Sequence, residues 1–65
     1  MSDFKKRLQT EREELEEKIS KLSIFVRGQD TNMTVSHGNF LLLQEQLLVM
    51  EKYLNILIIR IELIG

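Results

Sequence analysis

The sequence predicts an all-α protein, an antiparallel two-helix hairpin assembling into a homo-oligomeric helical bundle. Three observations predict it. From Phe40 to Ile64 an unbroken heptad seam interleaves Phe40, Leu47, Leu54 and Ile61 with Leu43, Met50, Leu57 and Ile64, the pattern of a helix packed lengthwise on another helix. In the first half a thinner stripe, Leu8, Leu15 and Leu22, also repeats by seven, so a second amphipathic helix is available to meet it. Proline is absent and only three glycines occur in 65 residues, which suits long uninterrupted helices.

The first helix is expected over about residues 2–27. Ser2 is a plausible N-cap, and Asp3 sits favourably in the first turn. The residues after Asp3 are strong helix formers, with Phe4, Ile19, Phe25 and Val26 flanking the leucine stripe. Glu14–Lys18 and Glu17–Lys21 are i,i+4 pairs in the better orientation. Between Leu8 and Leu15 the stripe is broken by Glu11 and Arg12, which marks either a loose section or a polar contact. Gly28 is a natural C′ residue, and the segment 28–35 has no helical period and several turn formers. Thr34, Ser36 and Asn39 can each cap a second helix, and Ser36 fits best. That second helix is then expected over about residues 36–64. Helices of these lengths measure roughly 38 and 43 Å, and a short connection between near-equal helices makes an antiparallel hairpin. A connection centred near residue 32 makes facing residue numbers sum to about 64. That places Leu22 near Leu42, Leu15 near Val49, Leu8 near Ile56 and Phe4 near Arg60, all within the single domain 1–65.

Composition narrows the function classes. The formal net charge is −1, so the global basic field that drives non-specific binding to a nucleic-acid polymer is missing. There is no cysteine and one histidine, so neither disulfides nor a one-chain zinc site are expected. Neither a signal peptide nor a membrane span is expected. No apolar run comes after Lys5, Lys6 and Arg7, and the longest uncharged run inside the charges of the C-terminal stretch is Tyr53 to Ile59. A cytoplasmic location is consistent with the absence of cysteine. No phosphate loop, metal-ligand spacing or nucleophile–histidine interval is present, and adjacent Ser36 and His37 do not point at each other at a helix start. An enzyme is therefore not expected, and no cofactor.

The second helix carries more apolar surface than the first can cover. Besides its seam it has a second row by seven, Leu42, Val49, Ile56 and Leu63, with Ile58 and Ile59 nearby. Leaving large side chains in water forfeits about 1.5–3 kcal/mol each relative to burial, and a patch of this size is unusual on a monomer. These six residues are the expected oligomer interface, with the second helix central. A symmetric homo-oligomer is the simplest closure; a different protein supplying the missing stripe is the alternative.

Two polar sets are candidates for ligand binding. Gln46, Tyr53 and Arg60 repeat by seven beside the apolar row, a phenol, a guanidinium and an amide on an apolar wall. The hairpin pairing brings Arg60 towards Lys5, Lys6 and Arg7, making a basic open end. Tyr53 can stack on a base while the cations neutralise phosphate. The other set, Thr34, Ser36, His37 and Asn39, surrounds a helix N-terminus, where free N–H groups can take a phosphate. The bland alternatives are interface rim residues for the first set and ordinary capping for the second.

The run Phe4-x-x-Arg7-Leu8-x-x-Glu11-x-x-Glu14-Leu15-x-x-Lys18-x-x-Lys21-Leu22-x-x-Phe25 resembles the first half of small phage and prophage proteins related to one first named in a crAss-like phage. The run Gln46-Leu47-x-x-Met50-x-x-Tyr53-x-x-Ile56-Leu57-x-x-Arg60-Ile61-x-x-Ile64 is similar to their second half. The connection, with Gly28 and Ser36-His37-Gly38-Asn39, departs from that pattern. The resemblance implies an accessory protein without an assigned enzyme activity, acting in the host bacterial cytoplasm. By analogy of style with small helical phage sponges, it implies an anti-defence protein that sequesters a small anionic nucleotide immune signal between protomers. The competing expectation is a structural or protein-interaction module that docks a host or phage protein through the surplus face.

Overall fold

The computed structural model describes residues 3–29 and 34–65, which form two helices and no strand. Helix α1 is Asp3–Gly28 and helix α2 is His37–Ile64. They run side by side as a hairpin with principal extents of 47 × 15 × 12 Å. The radius of gyration is 14.8 Å, against about 10.7 Å for a compact domain of this length. The protein is a rod one helix thick and two wide. The expected Ser2 cap and the middle of the connection, 30–33, lie outside the described residues.

Both helices face each other through heptad seams. On α1 half-buried and buried positions include Lys5, Leu8, Arg12, Leu15, Ile19, Leu22 and Val26, an alternating 3–4 spacing along one line, with Glu11 and Ser23 half-buried beside it. On α2 they include Phe40, Leu43, Leu47, Met50, Leu54, Leu57 and Ile61, with Ile58 half-buried beside them. The core is the cluster of Leu8, Leu15, Leu57 and Ile61, with Ile19, Met50 and Leu54 packed against it. Leu57 is its centre, with none of its surface exposed.

The expected facing pairs need one correction. Leu42, Val49 and Ile56 do not pack on the first helix; they are 68%, 56% and 54% exposed. The residues one step further along, Leu43, Met50 and Leu57, lie on the packed side instead. A single step turns about 100° around a helix, so the axial level was right to within a residue and the face was not. Phe4 and Phe25 are likewise half out of the core, at 49% and 43% exposed, while Val26 is buried.

The helix ends have local causes. The Gln29 N–H closes the last turn of α1 on the Val26 carbonyl at 3.2 Å. Gly28 is still helical and has no positive φ, so the expected left-handed C′ glycine does not occur there. It occurs at Gly65, with φ 90° and its N–H on the Glu62 carbonyl at 3.1 Å. Ser36 is the N-cap of α2, its hydroxyl accepting from the Asn39 N–H at 3.3 Å. The chain between the helices is tied by Gln29, which is 5% exposed. Its Oε1 accepts from the Thr34 N–H at 2.7 Å, the Thr34 hydroxyl at 3.2 Å and the Val35 N–H at 3.3 Å. One buried side-chain carbonyl thus takes two backbone donors of the connection.

Along α1, Lys21 pairs with Glu17 at 3.0 Å and Arg12 with Glu16 at 3.5 Å, while Glu14 and Lys18 close no such pair. These are exposed i,i+4 pairs, each worth about 0.3–0.5 kcal/mol.

The packing predicts a sharp contrast in stability. Leu57→Ala should destabilise the protein by about 2–5 kcal/mol, since it empties a fully buried site. Ile24→Ala, at a position 62% exposed, should change stability by less than about 0.5 kcal/mol. Urea unfolding followed by circular dichroism measures both.

Candidate functional site

Gln46, Tyr53 and Arg60 all lie on the exposed side of α2. With the apolar row they alternate along the helix as Leu42, Gln46, Val49, Tyr53, Ile56, Arg60 and Leu63. That 4–3 spacing is a second heptad seam, turned about 100° from the one that holds α1. None of its members is buried: Tyr53 is 38% exposed, Ile56 54% and Leu63 82%. Of the other residues expected at an interface, Ile59 is 47% exposed and Ile58 half-buried.

Within one chain the three polar members do not converge. Seven residues of helix separate each from the next, about 10 Å, so the row spans about 21 Å. Gln46 turns its amide back to its own helix, with Nε2 3.9 Å from the Met50 sulfur. Arg60 crosses to α1, its guanidinium carbon 5.9 Å from the centre of the Phe4 ring. That contact lies at the open end of the hairpin, where Lys5, Lys6 and Arg7 occupy the first turns of α1. Lys6 and Arg7 are exposed, and Lys5 is half-buried on the α1 seam. Asp3 and Glu62 share this end, so the cations stand among two carboxylates. The end combines a half-exposed aromatic ring with a bidentate-capable guanidinium, a pairing suited to planar anionic ligands.

The cap set lies at the other end. Thr34 is committed to Gln29, and Ser36 to the Asn39 N–H. His37 and Asn39 are exposed in the first turn of α2, about 35 Å along the helix from Arg60. One chain therefore holds the two polar sets apart.

Two shallow concavities accompany these features. One, of about 350 Å³, is lined by Leu48, Glu51, Lys52, Leu54, Asn55 and Ile58. The other, of about 310 Å³, is lined by Gln9, Arg12, Glu13 and Glu16 on α1. Neither includes Tyr53 or Arg60. Among the described residues no helix is long and apolar enough to cross a membrane.

Glu11 and Arg12, expected to interrupt the stripe of α1, are both half-buried, whereas sequence reasoning missed the place of Lys5 on the packed seam, although its spacing from Leu8 carries that signal. It also missed Gln29, for which spacing offers no signal at all.

Of the known families, the one described as Sequestin matches residues 2–63 of the chain. No curated protein and no solved structure matches it.

The Phe4–Arg60 contact yields a direct prediction. A double-mutant cycle of Phe4→Ala and Arg60→Ala, read by thermal unfolding, should give a coupling of about 0.5–1 kcal/mol at this exposed site. Strict additivity would show that the contact holds nothing in place.

Proposed function

The chain belongs to the Sequestin family, and from that premise we propose that it is a phage-encoded binding protein that works by sequestration. Its ligand is a small anionic nucleotide of the kind used as a bacterial immune signal, held by a homo-oligomer in the host cytoplasm. The protein catalyses no reaction on it. The observation that carries this reading is the basic open end, where Arg60 lies over Phe4 at 5.9 Å beside Lys5, Lys6 and Arg7. A guanidinium already ordered on a ring costs less entropy to present to a phosphate than a free one. Tyr53, two turns away on the same exposed seam, supplies the aromatic face for a base. Stoichiometric binding needs neither a nucleophile nor a general base, which accords with the residue types present.

A second reading is favoured by a separate observation, the exposure of Leu42, Val49, Ile56 and Leu63. On that reading the surplus seam docks a host or phage protein, and the basic end only keeps the rod soluble and oriented.

A thermal-shift panel of cyclic nucleotides separates the two. Ligand at a hundredfold excess over its Kd stabilises the folded form by about 2.7 kcal/mol, a rise of about 10 °C or more for a chain of this size. Tyr53→Ala and Arg60→Ala should each abolish that rise. Absence of any shift across the panel, with a protein partner co-purifying in its place, would refute sequestration of a nucleotide. A shift retained in both variants would move the site elsewhere.

A further inference from the structure

We infer that the second seam of α2 is covered by the same seam of a second copy running antiparallel, and that this pairing completes the polar site. Three observations lead there. First, the two seams of α2 lie about 100° apart, the disposition of a helix with a neighbour on each of two adjoining faces. One neighbour, α1, is in place. α1 itself has a single such seam, its other sevenfold row through Phe4, Glu11, Lys18 and Phe25 being charged at its centre. The missing neighbour of α2 is therefore another α2.

Second, the surface fits that occupant in extent. The chain exposes 4985 Å², whereas a folded monomer of 7.7 kDa exposes about 4,300 Å². The surplus is close to the roughly 800 Å² that each partner buries in a standard interface.

Third, the charges select the direction. A parallel copy would set Glu45 beside the partner's Glu45 and Arg60 beside the partner's Arg60. It would also gather both basic ends at one end of the bundle. With the seams overlapping fully from Leu42 to Leu63, an antiparallel copy sets residue numbers that sum to about 105 at one level. Leu42 then meets the partner's Leu63, and Val49 the partner's Ile56. Arg60 comes level with the partner's Glu45, which puts two opposite-charge pairs where a parallel copy has Glu45 against the partner's Glu45 and Arg60 against the partner's Arg60. Lys52 lies level with the partner's Lys52 and the partner's Tyr53 near the twofold axis, so that one like-charge pair is common to both directions.

The site arises from the same register. Gln46 and Arg60 are about 21 Å apart along one helix, yet the antiparallel register brings the partner's Gln46 to the level of Arg60 and the basic end. The two Tyr53 rings meet at the twofold axis. Each basic end thus receives an amide, the partner's Gln46, and a carboxylate, the partner's Glu45. Arg60 is paired by the partner while Lys5, Lys6 and Arg7 remain beside the amide, and the assembly holds two equivalent sites. The ligand role of these sites rests on the nucleotide reading above, whereas the packing does not.

The absence of cysteine makes the test clean. Leu42→Cys, Leu63→Cys and the double variant are treated with a short bis-maleimide linker without ligand and run on a denaturing gel. The double variant should cross-link into dimers and each single variant should not, because identical positions near the seam ends lie about 31 Å apart in an antiparallel pair. Efficient dimers from either single variant would establish a parallel pair and overturn the proposal. No cross-link in the double variant would show that another protein, or nothing, covers the seam, and would equally overturn it. The same readout with Gln46→Cys and Arg60→Cys, at polar positions of the seam, holds if the leucine variants lose helicity. Because no ligand is present, failure here leaves the nucleotide reading to its own assay.

Discussion

The structure depends on one strip of contact, the seam where Leu8 and Leu15 of α1 meet Leu57 and Ile61 of α2. Two helices side by side share only one such strip, and this one is interrupted on the α1 side by Lys5 and Arg12. Chains of about 65 residues hold themselves together by a narrow margin even when their cores are compact. Here the rod shape removes most of the advantage of a compact core. The apolar side chains left outside the seam are concentrated on α2, and α1 gives back charge and helix propensity in their place.

That division of labour shapes the chemistry available. α1 is a charged outer helix whose basic first turns reach the end of α2, and Arg60 reaches back over Phe4. α2 carries a continuous exposed line on which leucine, valine and isoleucine alternate with an amide, a phenol and a guanidinium. Hydrophobic contact along that line would carry its polar members into a surface that excludes water, where each hydrogen bond to a phosphate or a base counts for more. Assembly and recognition are in this account the same surface, and the Sequestin family membership accords with a protein that binds and holds.

Much of this architecture is legible in the residues. The sevenfold spacing of Phe40 to Ile64 carries the hairpin, and Ser36 carries the start of α2, because periodicity and capping are local properties of the chain. The face presented to α1 was harder. Val49 and Met50 are both apolar and differ by one step, and only the match of a 3–4 line on α1 to a 3–4 line on α2 decides between them. Gly28 reads as a left-handed terminus, yet the chain leaves α1 through a Gln29 turn, and space for a side chain at Gly28 is open. Gln29 was invisible to sequence because its role depends on burial and on three donors contributed from across the connection. Of the candidate site, the residue types and the Phe4–Arg60 level were legible. The distance between Gln46 and Arg60 was equally so, but its meaning emerges only once the second seam is seen as a seam.

The central claim is that α2 has two packed seams when the protein is folded, with only one of them filled within the chain. Thermal unfolding of the unmodified protein over a hundredfold range of concentration tests it most directly. If the second seam is filled by another copy, folding is coupled to association, and Tm rises with protein concentration by mass action. A Tm that stays constant across that range, with full helicity at the lowest concentration, would show that the single hairpin stands by itself and would contradict the account.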